Sequence, residues 1–199
     1  MKTNSFLYFL LFILFTGSCK NIDDNKEISA TGWEEQQKTY IENGKKLAMN
    51  AGSILKGRLT NAIENGGIIN GISVCNVVAQ ELMDSISLVN GTKIKRTGIK
   101  TRNDKNSPDQ KDLMVLDEMT KKQKSGIVPS PVAIKQDNKI VNVYIPIMTE
   151  ALCLNCHGKA GKDIKPDVYA LIREKYPNDE ATGYSLGELR GMWVIQMGK

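Results

Sequence analysis

All four phenylalanines of this 199-residue chain lie at positions 6, 9, 12 and 15, and none follows. Only seven of its 12 aromatic residues lie beyond position 15. Aromatic side chains usually supply much of the buried apolar area of a core. The chain must therefore fold around an aliphatic core, or around another large, flat apolar group that the sequence does not encode.

The phenylalanine-rich run has the features of an export signal. Lys2 precedes ten uninterrupted apolar residues, 6–15, which are followed by the small residues 16–18 and by Cys19. Because a membrane-spanning helix needs roughly 20 apolar residues, this run is too short to span well. The small pair before Cys19 resembles a bacterial lipoprotein signal, so we expect residues 1–18 to be removed and Cys19 to be acylated. The alternatives are an ordinary secretory peptide and a single membrane anchor.

The remainder divides into a tether and one domain. Residues 19–32 are polar and without periodicity, which predicts a flexible tether from the lipidated Cys19, and residues 33–199 form the domain. The formal net charge is +5, from 27 basic and 22 acidic residues. An exported protein is not expected to bind nucleic acid. The excess of lysine therefore indicates a well-solvated surface, or attraction to acidic partners and anionic surfaces.

Hydrophobic periodicity predicts helices first and strands later. Offsets of three and four residues indicate a helix over residues 33–65, ended by Gly66-Gly67, and a second over 71–88. Alternating apolar residues indicate strands, and Pro146 places its strand's end at a sheet edge or a strand terminus. This order of elements is typical of an α+β domain. The remaining predicted elements are strands over 92–101, 132–135, 140–147 and 190–197, and helices over 110–124 and 166–176.

The segment Cys153-Leu154-Asn155-Cys156-His157 has the CxxCH spacing of a c-type haem attachment site. Two thiols three residues apart can reach the two vinyl groups on one edge of a haem, and the adjacent imidazole can then face the iron. His157 is the only histidine in the chain. A covalent haem is also a flat apolar group of the kind that the aromatic-poor core lacks. The sequence therefore predicts one covalent haem c.

Other uses of two spaced cysteines fit less well. A thioredoxin-like redox pair belongs in a βαβ setting, which the pattern of predicted elements does not contain. A zinc site would need a second CxxC or a further histidine, and the sequence has neither. A structural disulfide between Cys153 and Cys156 remains an alternative in an exported protein.

The second axial position on the iron has several candidate ligands. No second histidine exists, so the candidates are a Met side chain, a Lys amine, water or Cys75. Cys75 is the one thiol not assigned to lipid or haem, and it lies on the apolar side of the second predicted helix. It could equally be a buried thiol that acts as a small hydrophobe. Met83 and Met192 are the next candidates.

Five further residues are candidates for haem-pocket contacts. Haem propionates are carboxylates, and arginine pairs with carboxylates bidentately. Arg96, Arg102 and Arg190 are three of only five arginines in the chain. Tyrosine hydroxyls could donate to a propionate, or the rings could simply pack. The candidates are Arg96, Arg102, Arg190, Tyr144 and Tyr184.

Several segments together resemble the Tll-type c-haem domain family, long labelled a domain of unknown function. The resemblance covers roughly residues 33–198, and it implies a PAS-like fold with an antiparallel sheet, one covalent haem, and sensory or redox duty. It also implies that Cys75 binds the iron opposite His157. The matching segments are 95–103 (KRTGIKTRN), 106–109 (NSPD), 144–147 (YIPI), 153–158 (CLNCHG) and 176–184 (YPNDEATGY), with Gly187 and Arg190-Gly191.

These observations predict an exported c-type haem protein that acts in redox or gas sensing or in electron transfer. An enzyme of peroxidase type is the alternative, but it needs distal acid–base groups, and the only histidine is committed to the proximal side. A thiol redox lipoprotein without haem is another. The expected partners are a membrane, through the lipid anchor, and a redox partner or membrane signalling protein. A small gas is a possible ligand, and the expected location is the periplasmic face of a membrane or the cell surface.

Overall fold

The computed structural model describes residues 24–137 and 139–198 of the chain. The predicted signal peptide, residues 1–18, and the predicted lipidation site Cys19 lie outside the described residues. Within them, residues 24–32 of the predicted tether are helical. No single helix in this described part is long and apolar enough to cross a membrane, although one bent pair, 32–75 with 79–89, passes by length and composition.

Helix α1 (Asp24–Val89) is interrupted at Gly66 and Gly67, where the sequence predicts a boundary. Gly67 has a φ of 70°, a left-handed conformation that favours glycine. The Asn70 side-chain amide donates to the carbonyl of Ala62 at 3.0 Å. In a continuous helix, residues eight apart would be separated by about 12 Å. The chain therefore folds back on itself, and segments 24–65 and 68–89 form a helix hairpin.

Four strands form one antiparallel sheet in the order β1-β4-β3-β2. The last strand in the sequence thus lies in the interior of the sheet. The prediction of four strands is confirmed, although β1 ends at Thr97, sooner than predicted. Pro146 lies beyond Tyr144, the last residue of β3 that pairs with β2, so it occupies a part of the strand that has lost one neighbour. The strands are β1 (Lys93–Thr97), β2 (Val132–Lys135), β3 (Ile140–Met148) and β4 (Leu189–Gly198).

Three further α-helices and one short 3-10 helix (Asp104–Asn106) complete the described α+β fold. Helix α2 (Gln110–Lys124) has the predicted bounds, because the side chain of Asp109 and that of Asp112 form a reciprocal capping box at its start. Helix α4 (Pro166–Lys175) begins with proline in its first turn, where a missing N–H costs nothing. The periodicity did not predict α3 (Ala151–His157), which is only seven residues long.

The sheet is covered on both faces, and alternate side chains of its strands belong to different clusters. The helix hairpin packs on one face, and α2 packs on the other. The tip of the hairpin contacts α4 through a third apolar cluster. The hairpin face contains Ala48, Ala51, Met83, Ile86, Ile94, Val141, Val143, Trp193 and Ile195. The α2 face contains Val115, Leu116, Met119, Tyr144, Met192 and Val194.

Two glycines lie on the sheet-facing side of α1, and replacing each of them by alanine should change the free energy of unfolding in opposite directions. A Cβ at Gly52 would lie 3.6 Å from Trp193 Cζ2, an ordinary contact, so Gly52→Ala should raise the free energy of unfolding by about 0.5–1 kcal/mol. A Cβ at Gly44 would lie 2.6 Å from Cγ1 of the fully buried Val143. Gly44→Ala should therefore lower that free energy by about 1–3 kcal/mol. Urea unfolding of both variants checks the signs, and a gain from Gly44→Ala would contradict the packing described.

Candidate functional site

Helix α3, which carries Cys153, Cys156 and His157, is fixed by backbone contacts at both ends. Before it, the Thr149 hydroxyl donates to the carbonyls of Ser185 and Glu188, and the Thr149 N–H donates to Glu188 at 2.8 Å. After it, the Gly158 N–H donates to the Leu154 carbonyl at 2.9 Å. A Cβ at Gly158 would lie 2.6 Å from that same carbonyl oxygen, so only glycine fits this close approach. The loop after α4 and the start of β4 thus set the position of α3.

The ring of His157 has a defined tautomer. Its Nδ1 lies 2.6 Å from the carbonyl oxygen of Ala181. Because a carbonyl only accepts, Nδ1 must carry the hydrogen, which leaves the lone pair of Nε2 free. A metal-binding histidine almost always donates its other ring N–H in this way, because the contact fixes the ring and raises its basicity. Nε2 of His157 is therefore available as a ligand for a metal ion.

The loop that follows Ala181 holds the backbone of the same histidine. The Tyr184 N–H donates to the His157 carbonyl at 2.9 Å, and the Gly183 N–H donates to the Gly158 carbonyl at 2.8 Å. The Tyr184 ring meets the imidazole edge-on, with centroids 6.5 Å apart and planes at 84°. The structure thus places Tyr184 beside His157, and its contact with a haem stays a prediction.

The imidazole of His157 stays neutral near pH 7. Burial lowers the pKa of His157 well below its usual value, and the positive charges of Arg190 and Arg102 lower it further. The hydrogen bond to Ala181 acts in the opposite direction with a smaller effect. Neutral imidazole is the form that binds metal, so the surroundings of His157 favour ligation.

Cys156 lacks the lowered pKa of a reactive thiol, and neither cysteine of α3 belongs to a cluster of metal-binding side chains among the described residues. Burial raises the pKa of Cys156 to about 11, despite the opposing charge of Arg102. A catalytic thiol needs the opposite shift, because the thiolate is the nucleophile. Cys153 Sγ accepts the N–H of Glu150 at 3.3 Å, and both cysteines are free. Among the described residues, no group of three or more His, Cys, Asp or Glu side chains could hold a metal ion.

Cys75 lies on the second segment of the helix hairpin, near the two cysteines of α3. Ile72, one turn before it, packs in the cluster that joins the hairpin tip to α4 and Cys156. Burial raises the pKa of the Cys75 thiol, and the charges of Arg96 and Arg102 lower it. A negative charge on Cys75 would in turn raise the pKa of Cys156. The structure therefore brings Cys75 into the same electrostatic environment as the CxxCH segment.

Arg96 and Arg190 are half-buried cations on the side of the sheet that faces the hairpin. The Arg96 guanidinium lies 5.7 Å from the centroid of the Trp193 ring, and that of Arg190 lies 5.1 Å from the centroid of Tyr184. Burial lowers the pKa of both arginines, and each of them has a like charge nearby. Arg190 Nη1 donates to the Lys100 carbonyl at 2.9 Å, but its buried Nε has no partner among the described residues.

These two arginines are suited to hold an anion. A buried charge is costly unless a counter-charge and hydrogen bonds satisfy it. Among the ion pairs of the described residues, neither Arg96 nor Arg190 is joined to a carboxylate. The free Nε of Arg190 thus supplies the donor that a carboxylate group of a bound molecule would complete.

Arg102 has a different partner from the one predicted. Its Nε lies 3.2 Å from Oδ1 of Asp179, and its Nη2 lies 3.1 Å from Oδ2. Nη2 also donates to the Cys156 carbonyl at 2.6 Å. The sequence did not single out Asp179, although a buried arginine calls for a carboxylate. Ala181 and Tyr176 were missed too, and burial raises the pKa of Tyr176 to about 12 at its position beside Arg102.

Three predicted candidates lie away from this site, and the structure corrects them. Tyr144 is fully buried against α2, on the opposite face of the sheet from Trp193. Met192 belongs to the same α2 cluster, so neither side chain faces α3. Met83 is packed in the hairpin-side core. Strand alternation explains the first two, because Tyr144 and Met192 have the opposite parity to the strand residues that face the hairpin.

Comparison with known proteins gives one family and one solved structure. A family model described as Tll0287-like: Tll0287 matches residues 20–198. The crystal structure of the cyanobacterial heme-protein Tll0287 is similar, with a TM-score of 0.57 and 24% sequence identity. The alignment covers 79% of this chain and 95% of that chain, and at this identity it shows a shared fold. Comparison with curated proteins gives no match.

Proposed function

This chain belongs to the Tll0287-like family, and on that premise we propose that it is an exported c-type haem protein. Its α+β domain holds a single covalent haem in a PAS-like arrangement, and it serves in electron transfer or in sensing redox state or a small gas. The observation that carries the proposal is the tautomer of His157. Nδ1 is committed to Ala181 at 2.6 Å, which leaves Nε2 for iron beside two free cysteines.

The residues of the site fit such a group. Cys153 and Cys156 would form the two thioethers, and the neutral imidazole of His157 would be the proximal ligand. Cys75 is the second axial ligand in this proposal. When bound, haem supplies an iron that changes oxidation state and, with an open position, binds small gases.

The propionates have suitable partners in the arginines of the site. Arg96 and Arg190 would pair with them, because both are half-buried cations without a carboxylate partner among the described residues, and the buried Nε of Arg190 lacks an acceptor. Tyr184, beside Arg190 and His157, completes the pocket. Arg102 is held by Asp179 instead, so it would act on the protein rather than on a propionate.

Purification from cells that mature c-type cytochromes tests the proposal. The protein should be red, contain one haem per chain, and retain that haem through denaturing electrophoresis, because thioethers survive detergent. A colourless protein, or haem that separates from the chain in the gel, would refute the covalent assignment. The fraction of chains with haem is measured by haem staining against total protein.

We also propose that the protein is not an enzyme. A peroxidase-type enzyme needs a distal acid–base group, and the only histidine of the chain is the proximal ligand. Redox potentiometry combined with capture of partners separates the two remaining roles. Rapid reduction by a quinol-oxidising chain supports electron transfer, whereas a stable complex with a membrane signalling protein supports sensing.

Lipid anchoring through Cys19 is proposed on the signal-like residues before it. The expected location is the periplasmic face of a membrane or the cell surface. Cys19→Ala protein should be exported and then found in the soluble fraction, whereas the parent should be in the membrane pellet. If the variant stays in the pellet with its apolar run uncleaved, the anchor is residues 6–15 and not a lipid.

A further inference from the structure

A buried carboxylate, Asp179, is linked to the iron-binding candidate His157 through one intervening residue. The side chain of Asp179 is only 1% exposed. Its Oδ1 accepts the N–H of Ala181 at 2.9 Å. The carbonyl of Ala181 is in turn the acceptor, at 2.6 Å, for Nδ1 of His157. Asp179 therefore fixes the residue that orients the imidazole.

Arg102 connects the same carboxylate to α3. Its guanidinium contacts both oxygens of Asp179, at 3.2 and 3.1 Å, and its Nη2 donates to the Cys156 carbonyl at 2.6 Å. The backbone of the segment is fixed as well, since Arg173 donates to the Asp179 carbonyl at 3.2 Å. The ion pair thus joins the last turn of α3 to the loop that holds the His157 ring.

We propose that Asp179, paired with Arg102, is a positioning residue that sets the orientation and basicity of His157 as an iron ligand. The inference rests on the proposed function. An acceptor on the second ring nitrogen raises the basicity of a ligating histidine, so the geometry at Ala181 acts on the iron through the imidazole. Because the pair is buried, loss of one partner leaves an uncompensated charge close to the haem site.

Substitution of Asp179 and substitution of Arg102 should shift the reduction potential in opposite directions. Asp179→Asn leaves the cation of Arg102 unpaired, and a positive charge near the iron favours the ferrous state, so the reduction potential should rise. Arg102→Gln leaves the Asp179 carboxylate unpaired, and the potential should fall. A purely structural role would not make the two shifts differ in sign. Asp179→Asn should also move the Nδ1–H resonance of His157 in paramagnetic NMR spectra of the ferric protein.

Asp112 offers a matched control on the other side of the sheet. Its side chain is also 1% exposed, and it pairs with Lys95 at 2.6 Å from its place in the first turn of α2. Asp112→Asn therefore removes a buried charge of the same kind. This variant should lose stability in urea, but its potential and its Nδ1–H resonance should match those of the parent.

The inference is overturned if Asp179→Asn keeps the potential and the Nδ1–H resonance of the parent. If Asp179→Asn does not accumulate as folded protein, Arg102→Lys is measured instead. Lysine keeps a cation beside Asp179 but has a single nitrogen in place of the planar guanidinium, whose Nε and Nη2 make separate contacts, so the resonance should move. An unchanged resonance overturns the inference. A parent without covalent haem refutes the proposed function itself, whereas a haem-loaded parent with unshifted variants refutes only the role of Asp179.

Discussion

Cells that produce the Cys153→Ala/Cys156→Ala double variant should yield the chain with no covalently bound haem. Both thioethers depend on these sulfurs, and Cys75 cannot replace them because it lies on a different helix, the second segment of the hairpin. Haem staining after denaturing electrophoresis should fall from one haem per chain to background. The effect is complete rather than graded, because no other described cysteine belongs to α3.

Two variants serve as controls for this result. Cys75→Ala removes a cysteine that is half-buried, like the two of α3, and this variant should keep its covalent haem through the gel. Cys156→Ala alone should keep a single thioether through Cys153. Haem that remains covalently attached to the double variant would refute the assignment of the CxxCH segment as the haem attachment site. The double variant should also have a lower Tm than the parent, because the half-buried charges of Arg96 and Arg190 would then lack the propionates that balance them.

The elements that the sequence predicted well have strong local signals. Helix α2 begins where expected because Asp109 caps it reciprocally with Asp112. The hairpin reverses at Gly66-Gly67 because glycine alone readily takes the left-handed conformation found there. Helix α3, by contrast, is shorter than two turns and its apolar pattern is too brief to distinguish it from a loop.

The site was harder to predict where it depends on which face of the sheet a residue occupies. Alternation in β4 correctly groups Trp193 with Ile195, and Met192 with Val194. Both faces of the sheet are covered by helices, so both groups are apolar, and the pattern does not tell which one meets α3. The sequence alone therefore does not exclude Met192 as an iron ligand, although the structure packs it against α2.

The ion pair of Arg102 shows a second reason why the site was hard to predict from the sequence. Asp179 lies 77 residues further along the chain, and only the packing of the loop after α4 against the loop after β1 brings them together. The sequence identified Arg102 as unusual, because arginines are few. It could not tell a propionate from a protein carboxylate, since both present the same chemical group to a guanidinium.

Replacing Cys75 by serine should remove a low-spin thiolate signal from the ferric protein and raise its reduction potential. Cys75 is held near Cys156 by the hairpin tip, and burial keeps it a thiol in the absence of a metal. A coordinating metal deprotonates a thiol outright. The resulting thiolate is an anion that stabilises ferric iron, whereas serine is a much weaker ligand of similar size. Electron spin resonance, absorption spectra and potentiometry measure the change.

Cys75→Met and Met83→Leu make the result specific to the ligand. A thioether raises the potential of a haem, so Cys75→Met should be low-spin with a potential above that of the parent. Met83 lies two turns further along the same helix segment and is packed in the hairpin-side core, so Met83→Leu should keep the parent spectrum. If the thiolate leaves the iron on reduction, the ferrous parent should bind carbon monoxide, which gives the domain a way to sense a gas. A thiolate signal that survives in Cys75→Ser would exclude Cys75 as the ligand and, with it, this switch.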